Sequence, residues 1–210
     1  MNLYDYDAAL DVAYNDNIKK LLKVSYKNTI DIQFGVYLKE PYENCFTINL
    51  KPSKGFWDWV INFVAFPKKT PYGKALCGYV KEINKFWPDI ANQILYLIEA
   101  YGTRKEVIIS GRSKGAGEAE LLIPYLVSIG LKPVICGAFE GPKCCDEEYS
   151  LKIKSLCPRV FETIYKNDIV PGIPFWFDHV TKPIQIGERK FGLSFKDHHI
   201  STTEKEVLAL

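Results

Sequence analysis

Val107-Ile108-Ile109-Ser110-Gly111-Arg112-Ser113-Lys114-Gly115-Ala116-Gly117 is the stretch that decides how this chain is read. An apolar run of strand character feeds a Gly-x-Ser-x-Gly pentapeptide that opens straight into a helix-like segment, the strand, sharp turn and helix of a nucleophile elbow. Such a turn strains the backbone at Ser113 and lifts its hydroxyl clear of the sheet, so its neighbours must be glycine or very small. Gly111, Gly115, Ala116 and Gly117 meet that need.

Outward from the elbow, strand and helix patterns alternate. Upstream, Ile32, Phe34, Val36 and Leu38 alternate with polar or small residues, and Cys45 to Leu50 returns after a Lys39-Glu40-Pro41-Tyr42-Glu43 turn, so residues 31–50 read as a hairpin. Residues 5–22 carry a modest helical pattern, and a long amphipathic region from Lys74 to Tyr101 is expected to break or kink at Pro88. Downstream, a helix over 116–129 closes at Gly130, a buried strand follows at 133–139, a helix at 146–156, and strands at 159–165 and 182–188. Alternation of this kind predicts an α/β fold: a mostly parallel sheet with helices on both faces and an antiparallel hairpin at its start. Residues 1–210 are read as a single domain, since nothing in them resembles a linker.

Composition narrows the function classes. A formal net charge of +2, with 25% charged residues, leaves no electrostatic footprint for nucleic acid. The N-terminal Met1 to Asp7 lacks the basic and apolar regions of a signal peptide, and no apolar run has membrane-spanning length, so a cytoplasmic location is expected. Of Cys45, Cys77, Cys136, Cys144, Cys145 and Cys157, several fall in apolar strand or helix patterns and two are adjacent, which suits buried thiols in a reducing compartment. With no Cys-x-x-Cys pair and three histidines, no zinc site is expected, and acyl transfer on a serine calls for no metal or organic cofactor.

A serine hydroxyl needs a histidine to take its proton and a carboxylate to orient that histidine. His179, His198 and His199 all lie beyond Ser113, in agreement with the Ser, acid, His order of sheet hydrolases. Asp168 follows the strand at 159–165, where ligand groups gather in open α/β sheets, and so fits the acid; Asp178 and Asp197 compete.

Four segments together resemble the class 3 lipase family, the fungal-type lipases and their bacterial relatives, within the α/β-hydrolase fold. They are Leu50 to Trp59, Gly111 to Gly115, Asn167 to Pro174 and Asp197-His198, over about residues 30–201. The resemblance implies Ser113 as nucleophile, Asp168 as acid and His198 as base, with Ser53 and the Lys114 amide as oxyanion donors. His179-Val180 then matches a family segment that is not catalytic. Arg112 and Lys114 depart from the family's usual His and Leu, Pro52 replaces a glycine, and the tyrosine usual after the late Asp-His is missing.

In the resembling lipases the region after Ser53 supplies a lid over the acyl pocket. Phe56, Trp57, Trp59, Val60, Ile61, Phe63, Val64 and Phe66 are too many apolar groups for one helix face, and serve equally as a lid or as a buried helix. Trp57 and Trp59, with Phe175 and Trp176, are the candidate substrate-binding residues. The resemblance implies a serine carboxylester hydrolase acting on lipid or other acyl esters, with transient contact to a membrane or micelle surface. Two alternatives stay open: hydrolysis of another acyl bond, a thioester or amide, and a catalytically silent binding module.

Overall fold

The computed structural model describes residues 24–28, 32–39, 42–50, 66–101, 105–194 and 196–198. In chain order these form β1 (Val24–Asn28), β2 (Ile32–Lys39), β3 (Tyr42–Leu50), β4 (Pro67–Thr70), β5 (Gly73–Leu76), α1 (Cys77–Tyr101), β6 (Glu106–Arg112), α2 (Lys114–Ser128), β7 (Lys132–Phe139), α3 (Glu147–Leu156), β8 (Val160–Tyr165) and β9 (Ile184–Ile186). Single 3-10 turns occupy Val170–Gly172 and Lys196–His198.

Seven strands make one sheet in the order β1-β2-β3-β6-β7-β8-β9. β1, β2 and β3 pair antiparallel, whereas β3 with β6, β6 with β7, β7 with β8 and β8 with β9 pair parallel. This is the expected α/β-hydrolase arrangement, with a mostly parallel sheet entered through the hairpin of β2 and β3. The carboxyl ends of β6, β7 and β8 therefore open on one edge, where an α/β sheet gathers its site.

Strand residues alternate between the two faces. Val107, Ile109, Ile48, Leu50 and Cys136 join a core that includes Ile83, Ile90 and Ile94 of α1, Leu121 and Leu122 of α2, and Ile153 of α3. Ile108, Ile135, Phe139, Tyr165 and Ile186 form a smaller cluster on the opposite face. The three described helices thus cover the first face. The helix expected at 5–22 lies outside the described residues.

α2 is buried on nearly every side, its charged residues Lys114, Glu118 and Glu120 included. Its contact with α1 requires glycine, because a Cβ at Gly117 would lie 2.5 Å from the Tyr79 ring and 3.1 Å from Cys144 Cβ.

The long helix differs from its expectation. Gly73–Leu76 is strand β5, paired antiparallel with β4 in a separate two-stranded sheet, so α1 begins at Cys77 rather than at Lys74. The short ribbon is completed by main-chain bonds from Leu76 N to Cys144 O (3.0 Å) and from Asp146 N to Lys74 O (2.9 Å). α1 also runs through Pro88 as one element instead of breaking there. Pro88 and Asn84, whose carbonyl the proline leaves without its helical donor, are both exposed, so water can complete that acceptor.

Candidate active site

β6 ends at Arg112, and Ser113 is the N-cap of α2 with φ 56° and ψ −123°. A non-glycine residue there is strained, and it persists only where its surroundings over-determine it. They do: Ser113 N donates to Phe139 O at the end of β7 (2.8 Å), and Ala116 N donates to Ser113 O (3.0 Å). The turn is also too tight for a side chain at Gly111, where a Cβ would lie 2.0 Å from Gly115 O.

After β8, Lys166 takes a left-handed φ of 44° and the chain turns, with Asp168 N donating to Tyr165 O (2.9 Å). Asp168 Oδ1 accepts from Val170 N (2.9 Å), which leaves Oδ2 aimed at His198. His198 Nδ1 is 2.6 Å from Asp168 Oδ2, and His198 Nε2 is 2.8 Å from Ser113 Oγ. The carboxylate at Nδ1 places the ring proton on that nitrogen and leaves Nε2 as the acceptor for the hydroxyl. All three side chains are buried, with Ser113 and His198 retaining 7% and 9% exposure.

The other candidates lie elsewhere. His179 Nδ1 pairs with Glu162 Oε1 at 2.8 Å, on β8, and Glu162 Oε2 also accepts from the main-chain N–H of Thr181. Asp178 bridges to Cys145, and Asp197 Oδ2 accepts from Asn167 N (3.2 Å). Phe175 and Trp176 stack edge to face (centroids 4.9 Å apart) on the segment after Asp168, exposed by 84% and 43%. Ser53, Trp57, Trp59 and His199, together with residues 55–65 of the aromatic stretch, lie outside the described residues.

Lys114 opens α2 directly after Ser113, where the first N–H groups have no intrahelical acceptor. Its side chain turns away from them, toward α1: Nζ is 2.6 Å from Glu82 Oε2 and 3.5 Å from Glu118 Oε1. Burial pushes the Glu118 carboxyl well above the usual carboxylate range. Burial acts on Glu82 in the same sense, but hydrogen bonds from Glu118 and Lys114 and the ammonium charge pull it below its ordinary value. Lys114 is raised, because the two carboxyls outweigh the burial that opposes its charge. Together Glu82, Glu118 and Lys114 pin the start of α2 to α1.

On the other side of Ser113, Arg112 Nη2 donates to Glu140 Oε2 and to the main-chain oxygen of His198, each at 2.5 Å. Single oxygens of Glu140 and Asp168 and a ring nitrogen of His198 lie within 4.8 Å of one another, the one grouping among the described residues with the spacing of a metal site. The positive charge that such a cluster invites is supplied here by the Arg112 guanidinium. Glu82, Glu118 and Glu140 escaped the sequence reading. The only signal for Glu140 is its place directly after β7, beside the strand end that carries the elbow.

The family model described as Lipase (class 3) matches residues 43–178. The chain belongs to the class 3 lipase family. It is accordingly a lipase-type, ester-hydrolysing serine hydrolase. Solved structures agree on the fold. The MDLA protein of Penicillium cyclopium, in mutant form, superposes with a TM-score of 0.71 at 16% identity over 92% of this chain and 82% of that one. The Rhizomucor miehei lipase propeptide complex gives 0.70 at 18% identity over 88% of this chain and 67% of that one. A triacylglycerol lipase whose catalytic centre is described as a serine protease triad gives 0.66 at 17% identity over 82% and 72%. No curated protein sequence matches the lipase chain significantly.

Proposed function

We propose that this lipase-family chain cleaves carboxylic esters through an acyl-enzyme on Ser113, with His198 as base and Asp168 as its orienting acid. The observation that carries the reading is the unbroken relay from Asp168 Oδ2 through His198 to Ser113 Oγ, at 2.6 and 2.8 Å, beneath a serine held at φ 56°. Ser113 Oγ attacks the acyl carbonyl as its proton passes to Nε2, and the carboxylate at Nδ1 stabilises the resulting imidazolium. The same proton then goes to the leaving alcohol. Water, deprotonated by Nε2, attacks the acyl-enzyme, releases the acid and restores the serine hydroxyl.

Charge on the carbonyl oxygen is met by the Lys114 N–H and, on the family resemblance, by the Ser53 hydroxyl. Each such donor is worth about 3 kcal/mol in the transition state. The exposed Phe175 and Trp176 support an acyl or lipid substrate and a transient contact with a micelle or membrane surface.

Methanolysis tests the acyl-enzyme. A series of esters sharing one acyl group but differing in leaving alcohol is turned over in methanol–water mixtures, and the ratio of methyl ester to free acid is measured. A common intermediate gives one ratio throughout the series. A ratio that changes with the leaving group contradicts it. Running thioesters and amides of the same acid alongside separates ester hydrolysis from other acyl chemistry.

A further inference from the structure

Arg112 and Glu140 make a buried ion pair, 4% and 0% exposed, directly against the elbow. Stability alone does not account for such a pair, because desolvating two charges offsets most of their attraction and apolar residues of similar volume usually serve as well. What an apolar pair cannot do is donate to a carbonyl. The same Nη2 that meets Glu140 Oε2 also donates to the main-chain oxygen of His198, 86 residues further along.

That oxygen belongs to the single 3-10 turn Lys196–His198, in which Asp197 Oδ2 accepts from Asn167 N (3.2 Å) and Asp197 N donates to Ser194 Oγ (3.3 Å). Glu140 in turn is fixed at φ 51°, and its N–H donates to the main-chain oxygen (3.1 Å) and Oγ1 (3.3 Å) of Thr163 on β8. The guanidinium therefore ties the main chain of His198 to a residue anchored on β8.

We infer that Arg112 is a positioning residue for the base: oriented by Glu140, it clamps the main chain of His198 and so holds the imidazole in line between Asp168 and Ser113. The inference rests on reading His198 as the base. Ring and main chain of His198 are then restrained from opposite ends, the ring by Asp168 and Ser113 and the carbonyl by Arg112. Proton transfer in both half-reactions needs Nε2 within hydrogen-bond reach of its partner, and a misplacement of about 1 Å costs on the order of 100-fold in rate.

The test compares Arg112→Met, Arg112→Lys, Glu140→Gln and His198→Ala on a soluble short-chain ester, with rates expressed per site titrated by a slow-turnover acylating inhibitor. Arg112→Met lowers kcat by about 100-fold, on that misplacement cost, and leaves KM within about twofold, because the group touches the base and not the substrate. Arg112→Lys, whose ammonium still donates, recovers part of the loss. Glu140→Gln keeps an acceptor but slackens the orientation, and kcat falls by about tenfold. The downfield proton resonance of the His198–Asp168 hydrogen bond shifts or broadens in Arg112→Met, which a merely structural role would not produce.

A folded Arg112→Met enzyme with kcat within about threefold of wild type, below the loss a misplaced base would cause, overturns the clamp. If that variant does not fold, unchanged kcat in Glu140→Gln overturns it. A fully active His198→Ala enzyme instead overturns the assignment of the base, whereas an inactive His198→Ala beside an unaffected Arg112→Met removes the clamp alone.

Discussion

At Ser113 the backbone is held where a non-glycine residue is rarely found, and the strain has a use: the hydroxyl stands between the sheet edge and the imidazole with no cap bond to α2 to satisfy it. Among the described residues, the polar group that meets it is His198 Nε2. Replacing Ser113 by Ala is expected to remove turnover by a factor of about 10⁶ while the melting temperature stays within a few degrees. Asp168→Asn keeps the geometry but offers the imidazole a donor, which favours the wrong tautomer; kcat should fall by about 10⁴ with KM little changed. Steady-state kinetics on folded variants checks both, and near-wild-type kcat in either contradicts the assigned role. Ser113 was legible because its motif is contiguous. Asp168 was legible from its place after a strand. His198 was separated from His179 and His199 only through the family resemblance, since nothing in three isolated imidazoles says which reaches a serine 85 residues away. Arg112 could be seen to be unusual, but not why: its partners lie 28 and 86 residues downstream and meet it only in space.

The elements that carry the site are held together at glycines whose demands can be ranked. A methyl group at Gly111 would press on main-chain atoms of the first turn of α2, with Gly115 O at 2.0 Å and Gly115 C at 2.3 Å. Backbone cannot rotate aside, so Gly111→Ala is expected to cost more than the ~1–3 kcal/mol usual for overpacking. Gly130, past the end of α2, has φ +84° but open space for at least 4 Å around the position a methyl group would take, so Gly130→Ala should cost about 1 kcal/mol, from backbone conformation alone. Urea titrations of the pair check the ranking; equal midpoints contradict it. Periodicity revealed the long elements well: α2, β7, α3 and β8 begin and end within a residue or two of their expected bounds. It failed for β4 and β5. Four-residue strands around Pro71-Tyr72 offer too few alternations to register, and the run from Lys74 merged with the helix that follows. Pro88 misled for a different reason, because it sits on a solvent face where its missing donor costs little.

Across the whole molecule, the fold buries many polar groups, and their ionisation couples to stability. Burial lifts the Cys157 thiol from the ordinary 9.0 to about 11 and raises Cys136 and Cys144 well above their usual range. Between pH 9 and about 11 the unfolded chain has given up these protons while the folded one retains them. Stability contributed by the neutral thiols is complete below the unfolded pKa and is lost as pH rises through the folded one. Lys114, also raised, acts in the same sense. The urea midpoint should therefore fall steadily from pH 8.5 towards about 10.5, and Cys157→Ala should flatten part of that slope; a midpoint independent of pH in this range contradicts the coupling. The same long-range assembly builds the Ser113–His198–Asp168 relay, since β6, the loop after β8 and the turn at Lys196–His198 each bring one member of it. Reaction of the intact chain with a fluorophosphonate, read by peptide mass mapping, tests that relay most directly. The account predicts one equivalent bound, at Ser113, with the labelling rate falling by at least about 1,000-fold in His198→Ala. A folded chain that takes no label, or takes it as fast without His198, contradicts it.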